Sequence, residues 1–145
     1  MPYFSNGVLK DLSSGTAATD AVPLQQANGV LSTTTGINAK TATTTNLYTV
    51  PSGKTAVITG AYVRCTTADN ATVVCTAGIG VAAGEADICP AVALTGLTAT
   101  TVAFAFVPPI LPVTVAAASV IKLGIDVGAT ATTQTIAVDL IGYLV

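Results

Sequence analysis

Ile121-Lys122-Leu123-Gly124-Ile125-Asp126-Val127, and then Ile136-Ala137-Val138-Asp139-Leu140, are the segments that decide the fold. In the first, Ile121, Leu123, Ile125 and Val127 alternate with Lys122, Gly124 and Asp126. Successive side chains of a strand point to opposite faces, so this period of two describes a half-buried strand with one polar face. The second segment repeats the pattern, with Ile136, Val138 and Leu140 set against Ala137 and Asp139. Between them Gly128-Ala129-Thr130-Ala131-Thr132-Thr133 reads as a turn.

Upstream, short strands recur with turn signals roughly every 8–12 residues, the spacing of a sandwich or barrel. Asn46 to Val50 reads as a first strand, and Pro51-Ser52-Gly53-Lys54 as a turn. Proline pre-sets φ at the second turn position, and glycine accepts positive φ. Thr55 to Arg64 is a β-branched and aromatic run. In Thr72 to Val81 a single face gathers Val73, Cys75, Ala77, Ile79 and Val81. After a loop around Gly84-Glu85-Ala86-Asp87 come strands near Ala91 to Thr95 and Thr100 to Val107, the latter with Phe104 and Phe106 on the face of Val102. Pro108, Pro109 and Pro112 mark an apolar connection that cannot be a central strand and is expected to cross between sheets.

The count is about eight strands in about 100 residues, with no convincing helix. Parallel neighbours need crossovers of a dozen or more residues, so the fold expected is an all-β antiparallel sandwich. Eight strands suit the jelly roll. The expected division is an extended N-terminal arm over residues 1–45 and a jelly-roll sandwich over residues 46–145. The arm is rich in Ser, Thr, Ala, Gly and Asn, with apolar clumps at Tyr3-Phe4, Val8-Leu9, Val22-Pro23-Leu24 and Val30-Leu31. No period persists there long enough to define an element. Tyr3, Phe4, Val8, Leu9, Val22, Leu24, Val30 and Leu31 are therefore the candidate docking residues of an arm that packs onto a partner.

The 145-residue chain holds 5 Lys+Arg, 7 Asp+Glu and no His, so 8% of residues are charged while 51% are hydrophobic. Roughly 25% charged is ordinary for a soluble domain. Five basic residues and a net charge of -2 cannot build a phosphate-binding stripe, which argues against nucleic acid as a partner. Without histidine there is no imidazole base and no His-ligated metal. Neither an enzyme nor a cofactor or metal site is expected.

Apolar content raises the question of a membrane. The most apolar window, Val102 to Ile121, has no charge, but its three prolines would break a spanning helix. The opening Met-Pro-Tyr-Phe-Ser-Asn-Gly lacks the basic and apolar regions of a secretory signal. Cys65, Cys75 and Cys89 have no zinc-ligand spacing. One disulfide is possible; the inward phase of Cys75 favours buried free thiols.

Three motifs have mundane readings. Gly78-Ile79-Gly80-Val81-Ala82-Ala83 fits G-x-G-x-x-A, but Gly84 and Pro90 forbid the helix that a dinucleotide site requires. A Gly-rich strand packed closely on a neighbour is the better reading. Nothing brings Glu85 and Asp87 to Asp126 or Asp139 as a catalytic pair. Asn70-Ala71-Thr72 matches a glycosylation acceptor of a kind that recurs by chance.

Leu47-Tyr48-Thr49-Val50-Pro51-Ser52-Gly53-Lys54, followed by the β-branched Thr55 to Ile58, resembles the opening of the jelly-roll domain in head decoration (cement) proteins of tailed bacteriophages. Ser119 to Leu123 and Ile136 to Tyr143 resemble their final strand pair, so the resemblance covers about residues 46–145. It implies a homotrimer on the capsid exterior of a virion, binding the major capsid protein, with the N-terminal segment as an arm. It carries no catalytic residues. The alternative is a tail, fibre or glycan-binding jelly roll; sugar sites favour exposed aromatics, for which Tyr48, Tyr62 and Tyr143 are the candidates.

Overall fold

The alternation of residues 120–144 becomes two long strands, one at the centre of each of two sheets. The computed structural model describes residues 4–5, 8–9, 29–69, 73–98, 100–109, 113–131 and 133–145. Its strands are β1 (Phe4–Ser5), β2 (Val8–Leu9), β3 (Gly29–Asn38), β4 (Thr43–Thr49), β5 (Ala56–Asp69) and β6 (Thr76–Gly80). They continue with β7 (Cys89–Ala93), β8 (Ala103–Phe106), β9 (Val113–Val115), β10 (Val120–Val127) and β11 (Thr133–Leu144). The described residues contain no helix. β1 and β2 pair as a small ribbon.

The other nine strands form two antiparallel sheets. One has the order β4-β10-β6-β7; the other has β3-β11-β5-β8, with β9 also on β5. β8 pairs with Ala61–Arg64 of β5 and β9 with Ala56–Ile58, so together they are one interrupted edge strand. The pairing is then nested: β3 with β11, β4 with β10, β5 with β8 and β9, and β6 with β7. β5 also pairs with β11, and β6 with β10. A long hairpin rolled up in this way is a jelly roll with eight strand positions.

The sheets face each other across one core. Ile121 and Leu123 from β10, and Ile136, Val138 and Leu140 from β11, are all at 0% exposure. Ile58, Val63, Ile79, Leu94 and Leu97 fill the space between them. The turn at Pro51 closes with Lys54 N–H donating to the Pro51 carbonyl (3.2 Å), and Gly53 takes φ +72°.

Four sequence expectations need correction. Residues 29–45 of the expected arm belong to the sheets, because β3 pairs along β11 and β4 along β10. The proline segment does not cross between sheets, since β8 and β9 lie in the same sheet on the same partner. Val127 is 57% exposed, because a register shift between Ile125 and Val127 ends the alternation. Val73 is also exposed (54%), since β6 starts at Thr76 and Val73 only bridges to Thr130.

Cys65, Cys75 and Cys89 are buried and unpaired. Burial pushes the Cys75 and Cys89 thiols up to about 11 from 9.0. The folded state therefore holds these protons more tightly than the unfolded chain, and stability is lost as pH rises from 9.0 towards 11. Native protein is expected to leave all three thiols unreacted with Ellman's reagent at neutral pH, and denatured protein to release three equivalents. Rapid reaction of native protein would contradict this burial.

Candidate functional site

A sandwich with its inner faces buried meets partners through its outer faces, edges and loops, and here the two outer faces differ. The four-stranded sheet is covered by its own β6–β7 connection. That loop sits on glycines: a Cβ at Gly78 would lie 2.8 Å from the Glu85 carbonyl oxygen, and one at Gly80 2.7 Å from the Ala86 nitrogen. A Cβ at Gly124 would lie 2.8 Å from the Glu85 Cβ. The seat is tied down by Asp87, whose Oδ1 accepts from the backbone N–H of Val81 (2.7 Å) and Ala82 (3.2 Å). Glu85 reaches across the sheet and accepts from the Thr44 hydroxyl at 3.2 Å. The close packing expected of the G-x-G segment is therefore against this loop.

No comparable loop contact is present over the five-stranded sheet among the described residues. Its outward row runs Thr33, Asp139, Tyr62, Ala105 across β3, β11, β5 and β8. Arg64 makes a bidentate pair with Asp139, Nε to Oδ2 at 2.8 Å and Nη2 to Oδ1 at 3.1 Å, and Thr33 donates to the same carboxylate at 2.7 Å. The hydrogen bond from Arg64 is the main cause that holds Asp139 below the usual carboxylate range, and it raises the Arg64 pKa in turn. Beside this knot the face becomes apolar. Thr59, Tyr62, Ala105, Val107 and Ile141 line a shallow cleft of about 160 Å³, and Val30 pairs with Ile141 at its β3 side.

Where the structure describes them, the docking residues named from the sequence lie on β1, β2 and β3. Phe4, Val8 and Leu9 lie on β1 and β2, in the pairs Phe4–Leu9 and Ser5–Val8. Val30 is 60% exposed on the edge strand β3, whereas Leu31 packs partly against the core. Tyr3, Val22 and Leu24 lie outside the described residues. Of the aromatics, Tyr62 is 52% exposed and Tyr48 packs partly against the core. Glu85 and Asp87 sit over one sheet and Asp139 on the other, so they do not meet. Among the described residues no three His, Cys, Asp or Glu side chains cluster as metal ligands, and no helix is long and apolar enough to cross a membrane.

The fold and its surface define a charge-poor antiparallel jelly roll, with one outer face free of loops among the described residues. No protein-family model matches the chain, and no curated protein matches it significantly. A solved structure described as the cyanophage Pam1 capsid asymmetric unit contains a similar chain, at 17% identity and a TM-score of 0.59. The match covers 90% of this chain and 94% of that one. At such low identity the likeness is one of fold, and it spans nearly the whole of both chains.

Proposed function

We propose that this chain is a structural protein of a bacteriophage virion, a decoration protein that binds the major capsid protein on the capsid exterior and stabilises the shell as a homotrimer. The observation that carries this reading is the end-to-end likeness of fold to a chain of a phage capsid asymmetric unit. A surface with few charges supports it, because such a surface loses its water at low cost. A standard contact buries ~800 Å² per partner, over half of it apolar, which at ~25 cal/mol per Å² contributes ~20 kcal/mol before association entropy. That stabilises a shell without any chemistry, and no enzymatic role is proposed. Residues 1–28 would act as an arm onto the shell or a neighbour.

Co-sedimentation with shells assembled from the major capsid protein of the same phage tests the reading. Saturable binding at a fixed copy number is expected, with a trimer in free solution by light scattering. A deletion of residues 1–28 leaves both large sheets intact and is expected to weaken shell binding. Failure to sediment with shells, combined with binding to a glycan array, would replace the decoration reading with a receptor-binding one.

A further inference from the structure

We infer that copies of this chain associate through the outer face of the five-stranded sheet, with Tyr62 at the centre of the contact. The inference rests on the self-association in the proposed function and names the surface that makes it.

The two outer faces of the sandwich are not equivalent. The four-stranded sheet is occupied by the β6–β7 loop, seated on Gly78, Gly80 and Gly124, and bears Glu85, Asp87 and Lys122. Among the described residues no loop is seated on the five-stranded sheet, and its row through Thr33, Asp139, Tyr62 and Ala105 crosses all four columns of strands. Tyr62 is 52% exposed, and Val30 (60%) and Val107 (67%) flank it on opposite edges of the sheet. Tyrosines in such central positions are the side chains most often found to carry binding energy.

Size and charge favour a second copy as the occupant. With strands ~4.8 Å apart and ~3.4 Å per residue, four columns along the twelve residues of β11 give a face of ~19 by ~40 Å. That is ~750 Å², close to the ~800 Å² per partner of a standard stable interface. On this face Arg64 and Asp139 already neutralise each other, and the sheet's one further charged strand residue, Asp69, stands at the end of β5 opposite Thr133. Copies associating here bury an ion pair that is already neutral and meet a single further charge at the end of β5, whereas a strongly charged partner would find little to match.

Sedimentation velocity and light scattering on the full chain test this with four proteins: wild type, Tyr62→Arg, Ala105→Arg and Val127→Arg. Each substituted residue is exposed, so circular dichroism is expected to report an unchanged fold. The two face variants should weaken self-association by roughly 30-fold or more, the loss of a hot-spot contact. Val127→Arg, on β10 of the other sheet, should associate like wild type. Folded face variants that associate as tightly as wild type overturn the inference while leaving an oligomer in place. Equal weakening by Val127→Arg overturns it as well. A wild type that stays monomeric at micromolar concentration overturns both the inference and the homotrimer, while shell co-sedimentation still decides capsid binding separately.

Discussion

Gly80→Ala is expected to lower the melting temperature by roughly 10–20 °C and to free the β6–β7 connection from the sheet. The added methyl would stand 2.7 Å from the Ala86 nitrogen and 2.8 Å from the Glu85 carbonyl carbon, both backbone atoms that no rotamer change can move. The loop must lift, and with it go the two bonds from Val81 and Ala82 to Asp87. Overpacking of this kind costs ~1–3 kcal/mol, and each lost hydrogen bond adds ~1 kcal/mol. At ~3–5 °C per kcal/mol for a domain of this size, the drop in melting temperature follows. Limited proteolysis within residues 82–88 should accelerate in parallel. A variant that melts with wild type and resists cleavage would show that the glycine is not the seat of the loop.

The second large effect is expected inside the core. Gln134 is 1% exposed, and its Nε2 donates to the Leu97 carbonyl of the loop that follows β7. Its backbone carbonyl accepts from Ala39 N–H at 3.0 Å, so one residue ties that loop to β11 and the β3–β4 turn to the same strand. Gln134→Ala removes the amide, leaves the Leu97 carbonyl without this donor and opens a cavity beside Leu97. Truncating a large buried side chain costs ~2–5 kcal/mol, and an unsatisfied buried acceptor ~1–3 kcal/mol. A loss of ~4 kcal/mol in urea-measured stability is expected. Gln134→Met restores the volume and should recover much of it, because the Gln134 Oε1 has no partner to lose. Equal losses from Ala and Met would assign the whole effect to the hydrogen bond.

The strands that face the core on one side and water on the other announce themselves in the sequence, as β10 and β11 do. The signal comes from a single buried face, and it fails where neither face is fully covered. β3 is such a case: an edge strand of Gly, Ser and Thr whose residues are mostly exposed or half-buried, with Ile37 as its buried side chain. Nothing periodic separates it from an arm. Pro108, Pro109 and Pro112 do break a strand, but β5 carries both halves of the broken strand on one edge, which local sequence cannot reveal. Gly78 and Gly80 read as close packing, yet only the folded chain shows that the neighbour is a loop five to seven residues further on, and that Gly124 of another strand joins the same seat. The Tyr62 face was equally hidden. Thr33, Asp139, Tyr62 and Ala105 lie in four strands spread over more than a hundred residues, and only the register brings them into one row.

The nested pairing also bears on how the chain is made. β11 lies between β3 and β5 and supplies Ile136, Val138 and Leu140 to the core, yet it is synthesised after every strand it touches. Until residues 133–144 have emerged from the ribosome, β3 has no partner in its sheet and β5 lacks its main one. Pairings this distant in sequence form slowly, so the jelly roll closes late and all at once. A chain interrupted before β11 cannot present the finished Tyr62 row. A product cut short before this strand therefore never completes the sandwich, however much of the chain precedes it.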